Sequence, residues 1–442
     1  MKKILVLGAG LSASSLIKYL IDHAEQFDWQ VRVGDMSEEV AKSKIGNSAR
    51  AQAFEFNINN QPQRETEIAN CDLVISLLPA RFHHLVAEIA VQNGKNMVTA
   101  SYVAPEIKKL EKECLEKNLL ILNEIGVDPG IDHMSAMKII HEIKEKGGKI
   151  TSFKSNTGGL VAPKYDTNPW NYKFTWNPRN VVVAGQGVAQ YISNGFYKYI
   201  PYHKLFTRVE RAEVLEYGEF EIYANRDSLK YRETYGLENI PTMMRGTMRR
   251  PGFSRAWNIF VQIGATDDTY ILENSEDMTY REFINSFLSF HATLTVEQKL
   301  AAYAGIDEDS ETMYKLRWLG IFKNEKIGLK NATPAQALQQ LLEKKWKLES
   351  DDRDMIVMQH IFEYEMGGKK KRLTSSMVVE GTDSVHTAMS ITVGIPVAIA
   401  TKLILTGVIT AKGVVIPVNK DIYEPVLAEL ADYGIKFTEE EV

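Results

Sequence analysis

The residues best suited to chemistry by type and spacing stand close to the amino terminus. Gly8-Ala9-Gly10-Leu11-Ser12-Ala13 follows an apolar run at residues 3–7 and opens an amphipathic stretch at residues 11–22. This is the G-x-G-x-x-G/A pattern, with Ala13 in the third small position. Gly8 permits a tight turn, Gly10 has no Cβ to keep a pyrophosphate from the backbone, and Ala13 lets a helix pack close to a sheet. A diphosphate would meet unsatisfied N–H groups at the positive end of that helix. The competing reading is a glycine-rich turn that binds nothing. Its place directly between a strand pattern and a helix pattern favours a nucleotide.

Asp35 closes the next strand pattern, Val31-Arg32-Val33-Gly34-Asp35, 27 positions after Gly8. A carboxylate there can accept hydrogen bonds from both ribose hydroxyls and repels a 2′-phosphate, which favours NAD and leaves NADP open. Arg32 alternates with Asp35 along the strand and is expected to face away from the ribose. The alternative for Asp35 is a cap on a helix starting near Ser37. Ser76-Leu77-Leu78-Pro79, Ala100-Ser101-Tyr102 and residues 123–129 end three further strand patterns. In a parallel sheet such endings converge on one crevice, so their polar residues are site candidates.

At Asn123-Glu124-Ile125-Gly126-Val127-Asp128-Pro129-Gly130-Ile131-Asp132-His133-Met134 the sequence resembles saccharopine dehydrogenases of the glutamate-forming type, also called saccharopine reductases. The resemblance extends to Ser101-Tyr102, Gly158-Gly159-Leu160-Val161-Ala162-Pro163, Asn168-Pro169 and Tyr172-Lys173-Phe174-Thr175-Trp176. It continues through Asn225-Arg226-Asp227-Ser228, Arg245-Gly246-Thr247-Met248-Arg249 and Gly394-Ile395-Pro396, in family order over most of the chain.

The resemblance implies hydride transfer at a secondary amine. Saccharopine would be oxidised to an imine that water splits into L-glutamate and 2-aminoadipate 6-semialdehyde; the reverse is a reductive condensation. It implies a Rossmann domain, an α/β substrate domain that also forms a homodimer, and a helical domain. By resemblance Ser101, Tyr102, Asp128, Arg226, Thr247, Met248 and Arg249 would contact substrate. Gly8, Gly10, Leu11, Ser12, Ala13, Ser14, Asp35, Leu78, Val127, Asp128 and Pro129 would contact the cofactor. A substrate with three carboxylates and two amines needs fork-shaped cations and an acidic group. Arg226 and Arg249 fit the first need, Asp128 the second. Arg226 could instead pair with Asp227, and Arg249 with Arg250 could form a solvated turn. Asp128 and Tyr102 are the catalytic candidates for proton transfer. His133 could serve too, or could simply begin a helix over residues 132–144. Thr157 stands where some family members have a cysteine, so no thiol acid is available there.

The elements that must hold these groups are legible in outline. Strand patterns at residues 3–7, 30–34, 53–56, 72–78, 96–99 and 119–122 alternate with helix patterns, which predicts a parallel sheet covered on both faces. Strand-rich sequence resumes at residues 150–156, 208–213 and 219–223. A hairpin is expected over residues 355–366 and 373–380, around Gly367-Gly368. Residues 254–348 read as mostly helical, with Thr333 capping a helix that has Pro334 in its first turn. The expected domains are 1–127 (Rossmann, completed by 397–442), 128–253 with 349–396 (substrate binding and dimerisation), and 254–348 (helical). A helix and strand at residues 421–431 and 435–437 would return to the first sheet.

Composition excludes several classes. The 442 residues carry 52 Lys and Arg against 57 Asp and Glu, a formal charge of −5, and lack the basic excess of a nucleic-acid binder. With 44% hydrophobic residues the chain is an ordinary globular one. Its two cysteines, Cys71 and Cys114, suit a reducing cytoplasm and leave no disulfide framework. Residues 384–411 are apolar enough to span a bilayer, but Gly394, Pro396 and Gly407 interrupt them, so a buried helix and strand are expected and no membrane. Lys369-Lys370-Lys371-Arg372 reads as a hairpin tip kept soluble by charge. His83, His84 and His141 lack metal-ligand spacing, so no metal is expected. The runner-up functions are a related amine dehydrogenase, such as one for carboxynorspermidine, and a non-catalytic NAD-sensing protein.

Overall fold

Short runs of β-branched and aliphatic residues become strands wherever both faces can be covered. A computed structural model describes residues 1–441 and places them as β1 (Lys2–Leu7), β2 (Trp29–Asp35), β3 (Ala51–Glu55), β4 (Leu73–Ser76), β5 (Asn96–Val98) and β6 (Leu120–Leu122). Then come β7 (Lys149–Val161), β8 (Val188–Ser193), β9 (Phe196–Pro201), β10 (Val209–Glu213), β11 (Glu219–Ala224) and β12 (Thr242–Arg249). The last four are β13 (Asp354–Met366), β14 (Lys369–Glu380), β15 (Gly413–Val415) and β16 (Thr438–Glu441). Contacts group the chain into two compact units. One holds Met1–Lys149, Glu365–Lys369 and Met377–Glu439; the other holds Ile150–Tyr364, Lys370–Ser376 and the residues from Glu440 onward. This division differs from the one expected at residues 127 and 128. Residues 128–149 group with the first unit, and the helical residues 254–348 stay with the second.

In the first unit seven strands form a sheet in the order β15-β6-β5-β4-β1-β2-β3. Every pairing in it is parallel. This is the doubly wound Rossmann order, whose topological switch lies between β1 and β4. One face buries Leu5, Leu7, Val74 and Ile121 of the strands against Ile68, Val86 and Ala90 of the flanking helices. The carboxy-terminal segment does return to this sheet, but through β15 beside β6, not through residues 435–437. Those residues precede β16, which joins the other sheet. The apolar run forms the helix Ala388–Leu405, and 67% of its most apolar stretch is buried. That helix packs on Ser14–Asp22 so closely at Gly394 that a Cβ there would stand 2.8 Å from Leu16 N.

The second sheet runs β10-β11-β12-β7-β13-β14-β16, with the β8–β9 hairpin attached to β12. Gly367 and Gly368 turn β13 into β14 with φ of 58° and 75°, a conformation glycine adopts without strain. Lys369–Arg372 starts β14 just past that tip. The helices Tyr280–Ser286, Val296–Ala304 and Pro334–Lys345 each open with a capping box, on Thr279, Thr295 and Thr333.

Candidate active site

The loop after β1 is shaped by contacts no side chain could share. Gly8 has φ +101°, and a Cβ there would stand 2.8 Å from the Leu77 carbonyl oxygen. The turn carrying Leu78 is thereby held against the turn carrying Gly8. Gly10 is different: nothing lies within 4 Å of where its Cβ would be. Its bareness does not serve internal packing, so it fits close approach of a diphosphate. Leu11–Ala13 is a 3-10 turn and the α-helix begins at Ser14. Asp35 ends β2, and its carboxylate accepts from Ala9 N at 2.8 Å and Ser37 N at 3.1 Å. The cap of helix Glu38–Ile45 is Ser37 itself. Asp35 therefore locks the glycine loop to β2, and it is half-buried. Arg32 turns away to Glu67 at 2.9 Å. Ser14 faces inward at 4% exposed: Lys44 donates to its hydroxyl at 2.7 Å, and it donates to Leu11 O at 3.4 Å. Leu11 and Met36 are 67% and 73% exposed, an apolar pair flanking this loop that suits the flat face of a base.

The segments after β5 and β6 are tied to each other. Glu124, at φ +57°, donates its N–H to Ser101 O at 3.0 Å and accepts from Val103 N at 3.1 Å, so it brackets Ser101 and Tyr102. His133 Nε2 lies 2.8 Å from the other Glu124 oxygen. His133 is fully buried in the first turn of helix Ile131–Glu145, where it supports that loop. Gly126 and Gly130 touch backbone to backbone; a Cβ on Gly130 would overlap Gly126. Between them Val127, Asp128 and Pro129 are displayed on a tight loop whose Asp128–Pro129 bond is cis. Val127 and Pro129 are buried and Asp128 is half-buried.

In the second unit the strand period sorts the remaining candidates. Arg249, Thr247 and Tyr223 share one face of the β11–β12 pair with Thr157 of β7, through the registers Tyr223↔Thr247 and Thr247↔Thr157. Met248 points to the opposite face and is 0% exposed, so its side chain is core. Arg249 is 4% exposed, with its guanidinium 5.0 Å from the Tyr172 ring centroid and 5.3 Å from that of Phe253. Nη1 donates to Met248 O, Nε has no partner, and no carboxylate pairs with Arg249 among the described residues. It is not a solvated turn with Arg250. Thr157 Oγ1, Tyr172 OH and Thr175 Oγ1 are likewise buried without partners. Burial pushes the Tyr172 hydroxyl pKa up, against the lowering pull of the nearby Arg249 guanidinium. Arg226 is exposed with φ +44° and lines a cavity of about 420 Å³ with Gly185–Ala189, Leu205 and Asp227. It forms no ion pair with Asp227 within 4.0 Å. Arg226 lies two residues past the Ala224↔Gly246 end of the β11–β12 ladder, whereas Arg249 pairs in register with Glu221 towards its other end.

Glu124, His83, Tyr172 and Met36 were not singled out from sequence as ligand-facing or supporting groups. No local pattern marks their roles, although Glu124 and Tyr172 lay within quoted motifs. Among the described residues no group of three or more His, Cys, Asp or Glu could hold a metal.

Comparison with known proteins gives the following. The model of the saccharopine dehydrogenase NADP binding domain matches residues 4–122, and that of the saccharopine dehydrogenase C-terminal domain matches residues 126–435. The chain is 32% identical over 449 residues to saccharopine dehydrogenase (NADP(+), L-glutamate-forming) of Schizosaccharomyces pombe, covering 100% of this chain and 99% of the relative. It is 33% identical over 447 residues to the mitochondrial alpha-aminoadipic semialdehyde synthase of Bos taurus, 99% of this chain but 47% of that protein. The solved structure of apo saccharopine dehydrogenase (L-Glu forming) from Saccharomyces cerevisiae superposes with a TM-score of 0.91, at 32% identity and full coverage of both chains.

Proposed function

The chain belongs to the saccharopine dehydrogenase family, and from that premise we propose that it interconverts saccharopine with L-glutamate and 2-aminoadipate 6-semialdehyde in lysine metabolism, using NAD. The observation that carries the substrate class is Arg249, a buried guanidinium in an aromatic enclosure with no ion-pair partner within 4.0 Å, the carboxylate of Glu221 opposite it being engaged by Gly252 N and Ser254 N. Leaving a buried cation unpaired is costly. An anionic ligand repairs it, and a planar fork matches a carboxylate. Saccharopine offers three carboxylates and carboxynorspermidine one, so a second candidate guanidinium at Arg226, in addition to that of Arg249, favours saccharopine.

A bound nicotinamide dinucleotide supplies the hydride acceptor or donor. Residues Gly8–Ser14 would hold its diphosphate, Asp35 its adenosine ribose, and Leu78 with Val127–Pro129 its nicotinamide half. The Schizosaccharomyces pombe relative and the matched dinucleotide-binding domain carry NADP in their names. Asp35 speaks for NAD here, because its carboxylate stands at the end of β2 where a 2′-phosphate would meet a like charge. Ser101 would contact a substrate carboxylate, and Tyr102 and Asp128 would orient the secondary amine. Asp128 can accept a proton at its carboxylate, and Tyr102 can give or take one at its hydroxyl, which covers imine formation and its hydrolysis. Thr247 would add a hydroxyl beside Arg249. For the expected homodimer, the β8–β9 hairpin is our preferred surface, since Phe196, Tyr197 and Tyr199 are 69%, 52% and 57% exposed. Cys71 and Cys114 are buried and unpaired, in keeping with a cytoplasmic location.

The test follows dinucleotide reduction at 340 nm with saccharopine, with carboxynorspermidine and with neither, in NAD and in NADP. Turnover with saccharopine and NAD is expected. Turnover with the polyamine adduct alone, or none at all, overturns the reading.

A further inference from the structure

Ser76, His83 and Ser101 form a hydrogen-bonded chain at the carboxyl end of the first sheet. Ser76 Oγ lies 2.8 Å from His83 Nδ1, and His83 Nε2 lies 2.7 Å from Ser101 Oγ. Ser76 is 0% exposed and His83 2%, while Ser101 is half-buried. Burial, helped by neighbouring His84, pushes the His83 pKa down to about 4. Near neutrality the ring is therefore uncharged and has one N–H and one lone pair.

Two tautomers satisfy those distances, and buried-group accounting separates them. If Nδ1 carried the proton it would donate to Ser76 Oγ. The Ser76 hydroxyl proton would then have no acceptor, because that hydroxyl makes no other hydrogen bond among the described residues. A buried O–H left unmatched is unfavourable. If Nε2 carries the proton, Ser76 O–H donates to Nδ1 and Nε2–H donates to Ser101 Oγ. Every buried donor is then used. Ser101 receives a hydrogen bond from the ring and has its own O–H left to give.

We propose that His83 is a positioning residue that, as the Nε2–H tautomer, makes the Ser101 hydroxyl an obligate donor and so a reader of one substrate carboxylate. This rests on the reading of Ser101 as a substrate contact given above. An ammonium group could use only the remaining Ser101 lone pair and would leave the Ser101 O–H unmatched, so it is disfavoured at that spot. His83 is thus a specificity determinant that touches no ligand itself.

Two variants separate the idea from a packing role. In His83→Gln the amide can accept from Ser76 and donate to Ser101, keeping the pattern. In His83→Glu both oxygens accept, so Ser101 must spend its proton on residue 83. We expect the KM for saccharopine to stay within about threefold in the first and to rise about tenfold or more in the second. The KM for NAD should move less than twofold in both. In a Ser101→Ala background the two variants should give the same KM. Ser101→Ala alone should raise the KM about tenfold. If it does not, Ser101 is no substrate contact and both the reading and this inference fall. If Ser101→Ala raises the KM but the Gln and Glu variants shift it equally, the inference alone falls. Should either variant fail to fold, two-bond ¹H–¹⁵N spectra of the wild type decide. The His83 resonance, identified among nine histidines by its loss on substitution or by sequential assignment, should show the neutral Nε2–H pattern, and an Nδ1–H pattern overturns the proposal.

Discussion

Around Gly8–Ser14 the chain already holds itself. Asp35 takes the Ala9 N–H, Ser390 takes the Ser15 N–H at 3.0 Å, and Lys44 occupies Ser14. On the odd-numbered face of β12 the opposite is found. Arg249 is buried without an ion-pair partner within 4.0 Å, and the nearby Tyr172 and Thr157 hydroxyls have no partner. The first region is preorganised whether or not a ligand comes, while the second keeps unmet polar demand that a ligand can satisfy. Stability and affinity should therefore respond differently to substitution in the two places.

The largest effect is expected at Arg249. Arg249→Met should lower kcat/KM for saccharopine about a thousandfold, the scale of losing a buried charge-assisted pair. It should leave NADH affinity unchanged and raise the substrate-free Tm, because an unpaired buried cation is replaced by an apolar side chain. A fall in Tm would show that Arg249 is satisfied in a way its surroundings do not reveal. Next comes the pH dependence of the first region. His83 has a folded pKa near 4 against 6.5 unfolded. A depressed histidine favours the fold while neutral, so this stability is present above about pH 6.5 and is lost as pH falls towards 4, by up to about 3 kcal/mol. Urea unfolding across that window should show wild type losing that amount relative to His83→Gln. Parallel curves would mean that His83 titrates normally.

Gly10→Val sharpens the contrast within one loop. Nothing crowds that position, so Tm should hold while the dinucleotide Kd rises about thirtyfold, roughly 2 kcal/mol. Gly8→Val should instead lower Tm, since its side chain meets the Leu77 carbonyl. A calorimetric scan with a fluorescence titration distinguishes the two. The smallest expected change is at Asp35. Asp35→Ser should cut the preference for NAD over NADP about tenfold, or 1.4 kcal/mol, measured as the ratio of kcat/KM values. An unchanged ratio would leave Asp35 only its locking role at Ala9.

Much of this was legible in the sequence, for physical reasons that differ by element. Buried parallel strands are uninterrupted apolar runs, so β1 and β4 stood out, and glycine positions near β1 are forced by backbone geometry that no other residue meets as easily. Period two would also have set Met248 on the wrong face from Arg249, yet its place in a quoted motif outweighed the alternation. What could not be read depends on distance along the chain. Ser15 and Ser390 meet across 375 positions. β15 has three residues and no distinctive pattern. The relay through His83 joins the end of β4, the start of the helix His83–Gln92 and the segment after β5, and the orphaned hydroxyls are defined by what fails to surround them.

The close seat of Gly394 against Leu16 and the pairing of β15 with β6 carry a consequence for biosynthesis. The nucleotide fold begins at β1 but is completed only by residues 388–415. While those are still unmade, a nascent chain keeps an apolar sheet edge and the flank of the helix Ser14–Asp22 uncovered. Chaperone engagement and truncations before residue 388 should therefore act most strongly on residues 1–122.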